Sequence, residues 1–372
     1  MAGRNISLSI QPSPCSVLPD LMAQAKPLHA TSPTIQEKHL KRRALLQMVA
    51  SGAALAVLPK LAAAASESPS PSPLKELRLD YAYYSPTSLV LRRFGWLEEA
   101  FKVDGTAIKW VLSAGSNRAL EYLNANSIDI GSSAGLAAVL AKANGNPIRT
   151  PYIFSRPEWT ALVVRKDSPV RTLADLKGRK IAATKGTDPY LFLLRALQTV
   201  GLSRGDIEHV SLQHADGRVA LEQGKVDAWA GLDPHMAASE LDSGSRLIYR
   251  NVAFNTYGFL NVREEFLAAH PAEVARVIGA YERARLWVRA NPGEAAKILA
   301  DEAKVSLPVA LLQIKLRSDF SNPQPSAEHI KALLLAAPIL QAEALVKPGT
   351  DLDRVIVSLV DTRFALPLIA RA

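Results

Sequence analysis

The sequence predicts an α/β fold of two lobes, each built on an open sheet, followed by a run of helices. Three observations predict it. Strand-like and helix-like segments alternate between residues 77 and 262. A short unit recurs, with Leu123-Asn124-Ala125-Asn126-Ser127-Ile128-Asp129 matching Leu221-Glu222-Gln223-Gly224-Lys225-Val226-Asp227 in register. From Pro271 onward the pattern is almost wholly helical, broken only at Pro292, Pro308, Pro323, Pro325 and Pro348.

Residues 1–65 read as an export signal rather than a fold. Lys41-Arg42-Arg43 precedes a moderately apolar stretch over residues 44–58, and Ala62-Ala63-Ala64-Ala65 offers an A-x-A cleavage site. The paired arginines followed by Ala44-Leu45-Leu46 resemble a twin-arginine signal. Cys15 lacks the small-residue context of a lipid anchor. Residues 66–73, Ser-Glu-Ser-Pro-Ser-Pro-Ser-Pro, form an extended spacer.

The body then divides into a first part of lobe 1 (74–165), lobe 2 (166–257), and a return strand with C-terminal helices (258–372) completing lobe 1. Leu77, Leu79, Tyr81 and Tyr83 alternate with Arg78, Asp80 and Ala82, the period of a strand. Ser85-Pro86-Thr87-Ser88 starts a helix. Further strands are read at 107–112, 128–130, 148–154, 160–164, 180–184, 208–212, 226–230, 247–250 and 258–262. Helices are read from Gly115, over 134–143, 190–200 and 217–223.

Charge and cysteine exclude several functions. Of 372 residues, 44 are Lys or Arg and 35 are Asp or Glu. The first 65 residues hold seven of the basic and two of the acidic ones, which leaves +4 for the rest. That is an ordinary surface, not a nucleic-acid footprint. The single cysteine, Cys15, excludes a disulfide framework and an all-cysteine zinc site within the chain. The five histidines after residue 65 are scattered and read as surface or core. No cofactor or metal motif appears.

In open α/β sheets ligands collect beyond the carboxyl ends of the strands, where helices begin. Those positions here are small and polar: residues 85–88, 113–117, 132–135 and 186–188. Free N–H groups at helix N-termini favour an anion. The candidate ligand-binding residues are therefore Ser85, Ser113, Ser116, Ser132, Ser133, Ala134, Thr187 and Asp188, with Trp159 as an aromatic wall. Hydroxyls of Ser85, Ser132, Ser133 and Thr187 are the expected donors. Trp229 and Phe259 read as core.

Residues 75–360 resemble periplasmic substrate-binding proteins of ABC importers in the sulfonate, nitrate and taurine group, and among them aliphatic sulfonate-binding proteins. The segments that carry the resemblance are 120–131, 166–182, Lys185-Gly186-Thr187, Ala215-Asp216-Gly217-Arg218, 224–229 and Asp233-Pro234. The resemblance implies the two-lobed periplasmic binding protein fold (type II), with two crossover strands and hinge closure. It adds Asp216, Arg218 and Asp233 to the residues bordering the cleft. It implies capture of a small organic anion, most simply an aliphatic sulfonate, by a monomer that hands it to a membrane permease in the service of sulfur metabolism. Relatives often read Gly-Asp-Ala-Pro where this chain reads Ser132-Ser133-Ala134-Gly135; loss of the acid suits an anion.

The same scaffold also accommodates nitrate, taurine or a thiamine precursor. Gly131-Ser132-Ser133-Ala134-Gly135 is a literal G-x-S-x-G, which would make Ser133 the nucleophile of a serine hydrolase with His270 or His329 as base. The glycine-rich oxyanion motif such a fold needs upstream is absent. A cysteine-dependent thiamine-pyrimidine synthesis is excluded by the lack of cysteine after residue 65.

Overall fold

The computed structural model describes residues 74–369. The readings of residues 1–73 as signal and spacer lie outside the described residues. In chain order the first lobe runs β1 (Glu76–Tyr81), α1 (Pro86–Phe94), α2 (Trp96–Phe101), β2 (Ala107–Leu112), α3 (Ser116–Asn124), β3 (Ile130–Ala134), α4 (Gly135–Ala143) and β4 (Ile148–Pro157). The second runs β5 (Leu162–Val164), β6 (Lys180–Ala182), α5 (Asp188–Gln198), β7 (Glu208–Val210), α6 (His214–Glu222), β8 (Ala228–Ala230), α7 (His235–Ser243) and β9 (Arg246–Tyr249). The chain then returns through β10 (Gly258–Arg263), α8 (Glu264–Ala269), α9 (Pro271–Ala290), α10 (Pro292–Ala303), α11 (Leu307–Leu311) and β11 (Ser318–Asp319). It closes with α12 (Ala327–Ala336), α13 (Pro338–Ala342), α14 (Leu352–Leu359) and α15 (Leu366–Ile369).

Two sheets result. The first has the order β11-β4-β10-β3-β1-β2, the second β7-β6-β8-β5-β9. Strands β1, β2 and β3 are parallel, as are β6, β7 and β8, so each sheet presents one shared carboxyl edge. The return strand β10 lies antiparallel between β3 and β4. Leu77 and Leu79 of β1 are fully buried, as the alternation predicts. The strand ends at Tyr81 rather than Tyr83. There the Ser85 N–H donates to the Ala82 carbonyl (2.9 Å) and the Ser88 hydroxyl to the Ser85 carbonyl (2.6 Å), turning the chain into α1.

The recurring unit is a clamp on the first parallel strand of each sheet. In lobe 1 the Asp129 N–H donates to the Arg78 carbonyl (2.8 Å), while the Arg78 N–H returns a bond to the Asp129 carboxylate (3.0 Å). In lobe 2 the Asp227 N–H donates to Lys180 O (2.8 Å) and Lys180 N–H to the Asp227 carboxylate (2.9 Å). The aspartates therefore work as acceptors that tie the start of one strand to its parallel neighbour about fifty residues away in sequence.

The chain leaves the first sheet after Pro157 and re-enters it at Gly258. Strand β5, although within residues 74–165, pairs with β8 and β9 and belongs to the second sheet. Pro157 closes β4 five residues ahead of it, while the turn signal at Ser168-Pro169 comes only after the sheet has changed. The two connections are tied together. Arg250 makes a forked pair with Glu158 (2.8 and 2.7 Å), and the Thr160 N–H donates to Asn255 Oδ1 (2.9 Å). Trp229 and Phe259 are buried core residues, as expected.

Candidate functional site

Helices α1, α3 and α4 start at the carboxyl edge of the first sheet, and α5, α6 and α7 at that of the second. The N-cap side chains of α1, α3, α4, α5 and α6 make no capping bond. First-turn N–H groups without a cap seek an acceptor elsewhere. The two edges meet where the start of α3 faces the start of α6. A Cβ placed on Gly115 would lie 2.9 Å from His214 Nε2 and 2.8 Å from Asn117 Oδ1. One placed on Gly186, beside α5, would lie 3.4 Å from the Asn117 Cβ. Glycine is what lets the lobes approach this closely.

Several residues read as ligand donors have their polar atoms engaged inside the fold. The Ser132 hydroxyl donates to Asp80 (2.8 Å), and the Ser132 N–H to the other oxygen of the same carboxylate (2.8 Å). Ser133 donates to the Ala134 carbonyl (3.0 Å) and accepts from Asn261 (2.8 Å). Among the described residues no histidine bonds it, so His270 and His329 do not form the hydrolase geometry with it. The Thr187 hydroxyl donates to Thr184 O (2.6 Å). Ser85 Oγ reaches only Thr87 Oγ1, at 3.5 Å. Ser116 Oγ accepts from the Ala134 N–H (2.9 Å). The start of α4 is further satisfied by Thr256, whose hydroxyl accepts from Leu136 N–H (3.1 Å), and by the Tyr257 carbonyl, which accepts from Gly135 N–H (2.9 Å).

Three other candidates are engaged by partners within the fold. Asp188 is buried, accepts from Thr256 N–H (2.9 Å) and from Trp159 Nε1 (3.3 Å), and so joins α5 to both connections. Burial raises its carboxyl above the ordinary range despite those bonds. Asp233 is buried against Arg317 (3.1 Å). Trp159 packs edge-on against Tyr84. Asp216 is exposed on α6, and Arg218 is held by Glu222 (2.7 Å) and Asp242 (3.4 Å). A charge already paired along its own helix has little reason to turn inward.

Unpartnered polar atoms mark a different set. Among the described residues, Asn117 Oδ1, Thr160 Oγ1, Gln213 Oε1, Tyr190 OH and His214 Nε2 are buried without a hydrogen-bond partner, while the Ser113 hydroxyl lies beside the Asp80 carboxylate. Buried polar atoms normally find one, so such a group asks for an explanation. Burial, then nearby His235, pushes the His214 imidazole down to about 3. Burial and then Arg218 hold His235 at about 4. Both rings are neutral at neutral pH. Of these, Ser113 and Asn117 fall within the 113–117 stretch marked in the sequence. A lone histidine carries no periodic signal; its place one turn after β7, level with the other strand-end loops, was the available clue.

Asn117 also opens onto a groove of about 430 Å³ between the lobes. Leu120, Leu140 and Leu345 give it an apolar wall, and Lys185 and Tyr190 face them from lobe 2. Among the described residues Lys185 has no ion-pair partner.

Comparison with known proteins adds a family. Residues 98–295 match the model of the family described as NMT1/THI5 like. A protein of Escherichia coli (strain K12), named as an aliphatic sulfonates-binding protein, is 31% identical over 298 residues, covering 78% of this chain and 90% of that one. The solved alkanesulfonate-binding protein of Xanthomonas axonopodis pv. citri, bound to MOPS, is similar with a TM-score of 0.70 and 29% identity, over 77% of this chain and 98% of that one. The solved periplasmic aliphatic sulphonate binding protein of Escherichia coli gives a TM-score of 0.65 and 28% identity, over 76% and 91%.

Proposed function

The chain belongs to the NMT1/THI5-like family, alongside the aliphatic sulfonate-binding proteins, and from that premise we propose that it is the periplasmic solute-binding component of an ABC importer for a small organic sulfonate. The observation that carries the reading is the meeting of uncapped helix N-termini from two sheets at Gly115 and His214. The sulfonate head takes N–H groups from the first turn of α3 and from the facing lobe, with Ser113 and Lys185 beside it. Its carbon tail lies along Leu120 and Leu140.

Residues 1–65 direct export and are removed, and residues 66–73 are the spacer. Lobe 1 and lobe 2 turn about the paired connections at Glu158–Arg250 and Thr160–Asn255. A ligand that touches both lobes shifts the population toward closure by its differential affinity for the closed form. The closed form is what a membrane permease recognises. No bond is made or broken in the cargo.

Isothermal titration of the purified protein with ethanesulfonate, butanesulfonate, nitrate and sulfate tests this. Binding of the sulfonates with tighter binding of the longer chain is expected. Heat with nitrate alone would overturn the sulfonate assignment.

A further inference from the structure

Asp80 stands near the carboxyl end of β1 and is fully buried. The Ser132 N–H donates to its Oδ1 and the Ser132 hydroxyl to its Oδ2, both at 2.8 Å. The Ser113 hydroxyl, from the end of β2, lies beside the same carboxylate and has no other partner among the described residues. Among the described residues no Lys, Arg or His pairs with Asp80, whereas Asp129, Asp233 and Glu282 each hold an arginine. Tyr84, from the turn into α1, and Tyr281, from α9, are the ionisable groups whose titration feels Asp80, and burial keeps both phenols neutral. Arg78 on β1 is engaged by Asp129, Glu282 on α9 by Arg285, and Arg118 on α3 by Glu121. The first turn of α4, from Gly135 to Ala138, carries no charge. A carboxyl with hydroxyl partners and no counter-ion is readily neutralised, and burial already raises this one to about 7. Ser113 has one hydroxyl proton. While Asp80 is ionised, that proton serves the carboxylate. The Ser132 N–H keeps Oδ1 an acceptor, so an added proton enters at Oδ2. The acid O–H then donates to a serine oxygen, and the Ser113 proton is free for an anion at the first turn of α3.

We propose that capture of the anion is coupled to uptake of a solvent proton by Asp80, with Ser113 as the hydroxyl that turns from carboxylate to ligand. The inference rests on the sulfonate reading and adds its regulation. Ionised protein, sulfonate anion and one proton give a complex in which Asp80 is neutral; no covalent bond of the sulfonate changes. A second negative charge brought close to a buried carboxylate favours its neutral form, so the bound protein holds the proton to higher pH than the free one. Below the free protein's midpoint the proton is already in place and affinity is at its maximum. Above it, binding must bring the proton in, and affinity falls by at most about tenfold per pH unit.

The test is calorimetric titration of the purified protein with ethanesulfonate in imidazole and in Tris, since sulfonate buffers would compete. The difference in heat between the buffers counts the protons taken up. Uptake of about half a proton or more per ligand is expected near about pH 7.5, with affinity falling about fivefold or more between about pH 6 and pH 8. Asp80→Asn should bind ethanesulfonate with no uptake and a flat pH profile over that range. Carboxyl carbon-13 NMR of the unaltered protein gives a second readout if the asparagine variant fails to fold: the Asp80 midpoint should move up when ethanesulfonate is bound. Binding without proton uptake, uptake that persists in Asp80→Asn, or an Asp80 midpoint unmoved by ligand overturns the inference and leaves the sulfonate reading standing. If no sulfonate binds at any pH, the underlying reading falls with it.

Discussion

Asp233, at the start of α7 in lobe 2, and Arg317, just ahead of β11 in lobe 1, meet at 3.1 Å, and both are buried. Arg317 also reaches Glu240, and its backbone carbonyl accepts from the Glu158 N–H (2.7 Å). One side chain thus binds lobe 2 while its own backbone holds a connection. Burial raises the Asp233 carboxyl to about 6 against the pull of Arg317.

Removing one partner of a buried pair leaves the other uncompensated, at a cost of about 3–5 kcal/mol. Arg317→Ala should lower the urea midpoint accordingly. The double variant Asp233→Leu/Arg317→Met should recover most of the loss, since apolar packing often replaces a buried pair without penalty. A single variant with an unchanged midpoint would show that the pair contributes nothing.

The His214 ring makes stability depend on pH. Its folded value near 3 lies below the ordinary value of 6.5, so the unfolded chain binds the extra proton between those limits. Its contribution is complete above pH 6.5 and is lost as pH falls toward 3. Asp80, raised to about 7 by burial, and Asp233 act in the opposite sense, binding protons in the folded state first. The informative quantity is therefore the difference between His214→Phe and the unaltered protein. That difference should grow in favour of the variant below pH 6.5, by at most about 1.4 kcal/mol per pH unit. Parallel stability curves would place the ring in solvent.

Lys185 offers the groove an exposed cationic side chain. Lys185→Ala should weaken sulfonate binding about three- to tenfold, and the deficit should shrink in high salt as the charge is screened. Titration at two ionic strengths reads it; identical affinities at low salt would remove the lysine from the site.

Ser133→Ala separates structure from binding. Its hydroxyl links the Ala134 carbonyl to Asn261. The variant should lose about 1–2 kcal/mol in chemical denaturation with ligand affinity nearly unchanged. A large loss of affinity without loss of stability would return Ser133 to the ligand.

Much of the fold is legible because repeated apolar patterns report it. The alternation at Leu77 and Leu79 and the paired units ending in Asp129 and Asp227 both find direct structural counterparts. Strand β11 escapes because two residues, Ser318 and Asp319, are too few to show a period, and the bonds that place them come from distant β4. The site is less legible. Serines at strand ends mark the correct edge of the sheets, yet which hydroxyl is free depends on long-range partners: Asp80 engages Ser132, and Asn261 engages Ser133. Arg317 and His214 are single residues with no pattern, and their meaning arises only when two segments about a hundred residues apart in sequence are brought together.

The missing side chain at Gly115 lets α3 come up against α6. The space beside its Cα is already bounded by His214 and Asn117, so any bulk installed there is a guest tethered to the wall. Gly115→Ser would carry a built-in wedge with its own hydroxyl, turning a shuttle that responds to cargo into one jammed ajar.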